Sequence, residues 1–387
     1  MRFSPQGLLG NYWIAQPFRG RYQALQRLML AEGIETLWIE DLSLIYHLTH
    51  QNFTQAILLA SSSQPFELWL DGRYYGASVS RGWTKRLWDK KGPESLFAEI
   101  SGQTLHCEMT LSYGRVEQIR RWAGNYNANV QVLSCDIQQV RMVKDAAAIE
   151  ALEKSAELND KGFRFFRTLL APGVSEIELT RELEVFWLRH GADRAAFEPI
   201  VAFGSNGASP HHHSSQRRLR TGDLVLIDLG VQLDGYQSDM TRTFFYGPPE
   251  GPMVDVLESV HRAYELGVSL CRPGSLTTDI DDQVRKSLDH DGYGEFFNHN
   301  LGHGIGLQLH EAPYFRKGDA VVLQEGMLLT IEPGVYLQGK GGVRLENTVL
   351  ITQNGAKVLS QVDTVSYTHL RAHETLMNLV CRLLLEK

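Results

Sequence analysis

An α+β catalytic domain preceded by a smaller α/β domain is the fold class this sequence predicts. Three observations carry that prediction. The 387 residues exceed one compact core of ordinary size and suggest two domains. Helix-like and strand-like segments alternate over roughly residues 20–135. From Asp145 the pattern changes to long helices followed by strands, several of which carry acids.

Within the first domain, taken as residues 1–140, RYQALQRLMLAEGI has apolar residues at helical spacing and Gly33 near its end. TLWIE, QAILLAS and FELWLDGRYY read as strands between polar or proline-containing turns. The second domain, 141–363, opens on a helix from Asp145 that Pro172 and Gly173 end. Ser175 and Glu178 then form a capping-box pattern ahead of a second helix ending near Gly191. Helices are expected again at 252–271, with Pro252 at the start, and at 277–290. LVLIDLGV, TRTFFYG, LLTIEPGVY and VRLENTVLIT read as strands of a largely antiparallel sheet.

Val365 to Lys387 resembles the translation of a sequencing-library adapter, so residues 364–387 are expected not to be native. No function is assigned there to His369, His373 or Cys381.

Composition excludes several classes. The chain is 43% hydrophobic and 21% charged, ordinary for a globular protein. Its net charge of −7, with no basic stripe, argues against nucleic acid and anionic membranes as partners. No apolar run approaches the roughly 20 residues that span a bilayer. The four cysteines are scattered and form no C-x-x-C pair, which fits a reducing cytoplasm.

The strongest signal is acid inside apolar strands. Asp228 lies in LVLIDLG, Glu332 in LLTIEPG and Glu346 in VRLENTVLI, with Asp239 nearby in SDMTRTF. An ionised carboxylate taken out of water costs several kcal/mol unless compensated. Arg344, two residues from Glu346, balances one acid at most. Two divalent cations balance four. His303, in the glycine-rich LGHGIGL, completes a hard donor set of oxygen and imidazole. That set favours Mn²⁺, with Co²⁺, Zn²⁺ or Fe²⁺ as alternatives.

These segments, in this order, resemble the pita-bread peptidases, a family that includes methionine aminopeptidase, aminopeptidase P and prolidase. The resemblance covers roughly residues 145–355. It implies that Asp228 chelates one metal, that Asp239 and Glu346 bridge both, and that His303 and Glu332 hold the other. His211 in ASPHHHSS and His310 in GLQLHEAP match further family positions, and Arg344 matches an arginine that contacts the ligands. His212 and His213 have no match and read as loop residues. The preceding domain, with DGRYY at Asp71 to Tyr75, is similar to that of the proline-specific, creatinase-like members.

The resemblance implies an Xaa-Pro aminopeptidase that acts on peptides with proline at the second position. Glu332 is then the proton carrier, His310 stabilises the oxyanion and His211 holds the prolyl side. The alternatives are an Xaa-Pro dipeptidase (prolidase) and, in another class, an inactive pita-bread binding module. A homodimer is expected by analogy.

Overall fold

The computed structural model describes residues 16–76 and 83–363. The adapter-like segment 364–387 lies outside them. The chain divides into two compact units at Arg141/Met142.

The first unit is built on a six-stranded mixed sheet. In spatial order its strands are Thr84–Leu87, Glu67–Leu70, Ile57–Ser61, Thr36–Ile39, Thr104–Cys107 and Asn129–Val132. Side chains alternate across a strand, so Leu37 and Ile39 pack on one face beneath helices Gln16–Ala31 and Leu42–Thr49. Trp38 packs on the other face with Phe97 and Ile119 of helices Gly92–Glu99 and Tyr113–Gly124. The FELWL strand stops at Leu70. DGRYY, read above as its continuation, is a turn, because the Asp71 carboxylate accepts the Arg73 N–H at 2.8 Å. Glu108, just past Cys107, is buried. One carboxylate oxygen accepts the N–H groups of Glu40 and Asp41 at 2.7 and 2.9 Å.

The second unit contains two helix pairs, each behind an antiparallel sheet. Helices Ala146–Leu169 and Glu176–Arg189 cover the sheet of Ile200–Phe203, Leu224–Leu229 and Met240–Phe245. Asp145 caps the first helix through Ala148 N–H at 2.9 Å. Ser175 and Glu178 form the expected capping box. Helices Met253–Leu270 and Thr277–His290 cover a five-stranded sheet containing His303–Gly304, Leu328–Ile331 and Asn347–Thr352. Gly334–Leu337 and Gly341–Arg344 form a separate hairpin.

Hydrogen bonds tie the strand Met240–Phe245 of the first sheet to the segment Arg344–Glu346, which leads from the hairpin into the second sheet. Thr243 Oγ1 donates to the Arg344 carbonyl at 2.9 Å, and Glu346 N–H donates to the Thr241 carbonyl at 3.1 Å. Arg242 is fully buried. Its guanidinium donates to the carbonyls of Thr241 and Glu346 at 3.0 and 2.7 Å and to those of Val362 and Asp363 at 2.8 and 3.0 Å. Burial lowers its pKa to about 10, so it remains charged at neutral pH.

Candidate active site

Each sheet contributes acids to one cleft of the second unit. Asp228 sits on Leu224–Leu229, opposite Thr241 in the register, and Asp239 immediately precedes Met240–Phe245. Glu332 follows Leu328–Ile331, and Glu346 lies between Arg344 and the strand Asn347–Thr352. His303 opens the short strand His303–Gly304.

The structure brings these side chains together. Ligand atoms of Asp239, His303 and Glu346 lie within 4.8 Å of one another. His303 Nε2 is 3.4 Å from Glu332 Oε1 and 3.7 Å from Asp239 Oδ2. Asp228 Oδ2 accepts from Arg344 Nη2 at 2.6 Å. Arg344 Nε donates to Thr241 Oγ1 at 3.0 Å, and that hydroxyl donates to Glu346 Oε2 at 2.6 Å. One threonine therefore connects the buried arginine to the buried acid.

The electrostatics of the cluster are unbalanced. Burial, then the charge of Glu346, raises the carboxyls of Asp239 and Glu332 well above the usual range. Burial, then Asp228, pushes Glu346 up to about 8. Burial, then His310, pushes His303 down to about 3, so its ring is neutral. His303 Nδ1–H donates to the Gly304 carbonyl at 3.0 Å, which leaves the Nε2 lone pair facing carboxylate oxygens. Asp228 Oδ1 and Glu346 Oε1 are buried and have no hydrogen-bond partner among the described residues. Lone pairs crowded against anions, with two acceptor oxygens left over, are what divalent cations relieve. The donor set of carboxylates and one neutral imidazole fits hard divalent metals.

The remaining expected residues flank this cluster. The His310 ring packs edge-on against His303 at 4.2 Å between centroids. His211 lies on a loop after Gly204–Ala208 and is exposed, and among the described residues no hydrogen bond or ion pair joins it to the acids. Burial lowers the pKa of His310, and the His211 charge lowers it further.

Two participants were not anticipated. Arg344 Nη1 donates to Tyr336 OH at 2.8 Å, and that hydroxyl donates to His299 Nε2 at 2.9 Å. Burial pushes the Tyr336 phenol up to about 12 and, with the Arg344 charge, His299 down to about 3. His299 precedes His303 by four residues in NHNLGHG, a spacing that could have flagged it. His212 is indeed in a loop, yet its Nε2 bonds buried Glu176 at 2.9 Å.

Known proteins resemble this chain in sequence and in fold. The model of metallopeptidase family M24 matches residues 150–353. An Xaa-Pro dipeptidase of Pyrococcus furiosus is 39% identical over 264 residues, covering 67% of this chain and 74% of that protein. The crystal structure of the prolidase from Pyrococcus horikoshii OT3 superimposes with a TM-score of 0.81 at 30% identity, covering 89% of this chain and 99% of that one. That of an X-Pro aminopeptidase from Thermotoga maritima gives a TM-score of 0.79 at 28% identity, covering 88% and 98%. The two-domain fold is thus the pita-bread fold of the prolidases. With two sheets converging on buried acids and a neutral histidine, and with the family model spanning more than half its length, the chain belongs to metallopeptidase family M24.

Proposed function

We propose that this protein is an Xaa-Pro dipeptidase that uses two divalent ions held by Asp228, Asp239, His303, Glu332 and Glu346. The observation that carries the metal reading is the cluster of acids around a neutral His303, with two buried oxygens that find no partner among the described residues. The relatives support the dipeptidase over the aminopeptidase expected from the sequence, since both Pyrococcus proteins are named for dipeptide or prolidase activity. Mn²⁺ suits the hard donors best. A homodimer and a cytoplasmic location remain part of this proposal. None of the described helices is long and apolar enough to cross a membrane.

When bound, the ions supply Lewis acidity toward the peptide carbonyl and a water-derived nucleophile at neutral pH. The protein groups do the rest. Glu332 takes the proton released by the attacking water and passes it to the proline nitrogen. Its place beside His303, at the edge of the acid cluster, suits it to carry a proton between the water and the leaving nitrogen. His310 donates to the developing oxyanion, and His211 holds the prolyl side. Arg344, fixed by Tyr336, Thr241 and Asp228, orients the acids. The Xaa-Pro amide has no N–H and kinks the chain, so recognition cannot depend on a backbone donor there.

The test compares a Gly-Pro dipeptide with a Gly-Pro-Xaa tripeptide on metal-loaded enzyme. A dipeptidase turns over the first and neglects the second. The reverse preference would restore the aminopeptidase reading. No turnover of either, with no metal retained after loading by elemental analysis, would favour the inactive binding module.

A further inference from the structure

Glu176 stands at the first turn of helix Glu176–Arg189, outside the acid cluster, and its side chain has no solvent exposure. It nevertheless carries five hydrogen bonds. Oε1 accepts from Phe203 N–H at 2.7 Å and Asn206 Nδ2 at 2.9 Å. Oε2 accepts from Ser215 N–H at 2.9 Å, Ser215 Oγ at 2.6 Å and His212 Nε2 at 2.9 Å. Burial alone would raise its pKa. The Ser215 and His212 donors outweigh burial and hold it below the usual range, so it stays anionic.

The two oxygens grip opposite ends of one loop. Phe203 and Asn206 lie at its start, and His212 and Ser215 at its end. His211 lies between them. On its far side the loop backs directly onto the hairpin that carries Arg344. A Cβ on Gly207 would come within 3.1 Å of the Gly342 backbone N. We infer that Glu176 is a positioning residue, which clasps the 203–215 loop so that His211 is held ready for the prolyl side of the substrate. This rests on the role given to His211 above. A buried acid that only terminated its helix would need donors from its own first turn, whereas all five come from the loop.

A double-mutant cycle tests the clasp on the metal-loaded full chain with a Gly-Pro substrate. Glu176→Gln keeps the shape but removes the charge and sets amide protons against fixed donors. It should lower kcat/KM on the order of 10- to 100-fold, mostly through KM, as His211→Ala does. The combined variant should be within about twofold of His211→Ala alone, because both changes remove the same contribution. Hydrogen exchange should quicken across 203–216 and stay unchanged in 224–229 and 240–245. Should Glu176→Gln fail to fold, Asn206→Ala is carried through the same cycle. Losses that multiply, or exchange that quickens throughout the domain, would overturn the inference. Wild-type protein that cleaves no Xaa-Pro substrate would sink the proposed function instead, and loop exchange still reads the clasp by itself.

Discussion

Thr241 shows how finely the acid cluster is balanced at the scale of single residues. Its hydroxyl accepts from Arg344 Nε and donates to Glu346, while Asp228 accepts from Nη2 of the same guanidinium. Asp239 and Glu346 are the two acids that the proposed function gives to both ions. Replacing either Asp239 or Glu346 by Ala should abolish turnover, with a fall in bound metal measured by elemental analysis. Near-normal rates in either variant would contradict the ligand assignment. These acids were legible in the sequence because charge inside an apolar strand is physically anomalous. Glu176 was not, because an acid in the first turn of a helix is ordinary. Nor was Tyr336, since an aromatic residue in a strand looks like core. Both reveal themselves only by what lies opposite them in space.

At the scale of elements, the glycine-rich segment that presents His303 and His310 is held from below. Lys144, just ahead of the first long helix, bonds Glu311 at 2.8 Å, and both side chains are 3% exposed. Lys144 N–H also donates to the Gly326 carbonyl at 2.9 Å. Removing one partner of a buried ion pair costs about 3–5 kcal/mol because the other charge stays buried. Lys144→Met should therefore lower the unfolding free energy read from urea titration by about that amount, and Lys144→Met with Glu311→Leu should recover much of it. A single variant as stable as wild type would show the pair to be unimportant. Helices were readable here through their caps and period, as at Ser175. Strand ends were less so. The turn at Asp71 escaped because Tyr74 and Tyr75 have strand-like composition, while a local side-chain bond decides the backbone.

At the scale of the whole molecule, stability should depend on pH through Glu108 in the first unit. Burial pushes its carboxyl up to about 8 from 4.5. Between those values the folded protein holds a proton that the unfolded chain has released. The contribution is complete below the unfolded value and is lost as pH rises through 8. Urea midpoints should fall from about pH 5 to about pH 9 in wild type, and fall less in Glu108→Gln, which stays neutral throughout. Parallel curves for the two proteins would exclude the effect. The broad plan of two units, with acids at strand ends of the second, follows from patterns a few residues long. The pairing of its sheets does not, because Asp228 and Arg344 are 116 residues apart.

That separation has a consequence for biosynthesis. Asp228 and Asp239 emerge from the ribosome long before Arg344, and before Glu332 and Glu346 complete the donor set. Arg242 likewise waits for Val362 and Asp363, about 120 residues later. A nascent chain holding only the first sheet thus carries anions with no counterpart. The acid cluster can assemble only once the chain has been translated through Glu346, and the Arg242 bonds only once it has passed Asp363.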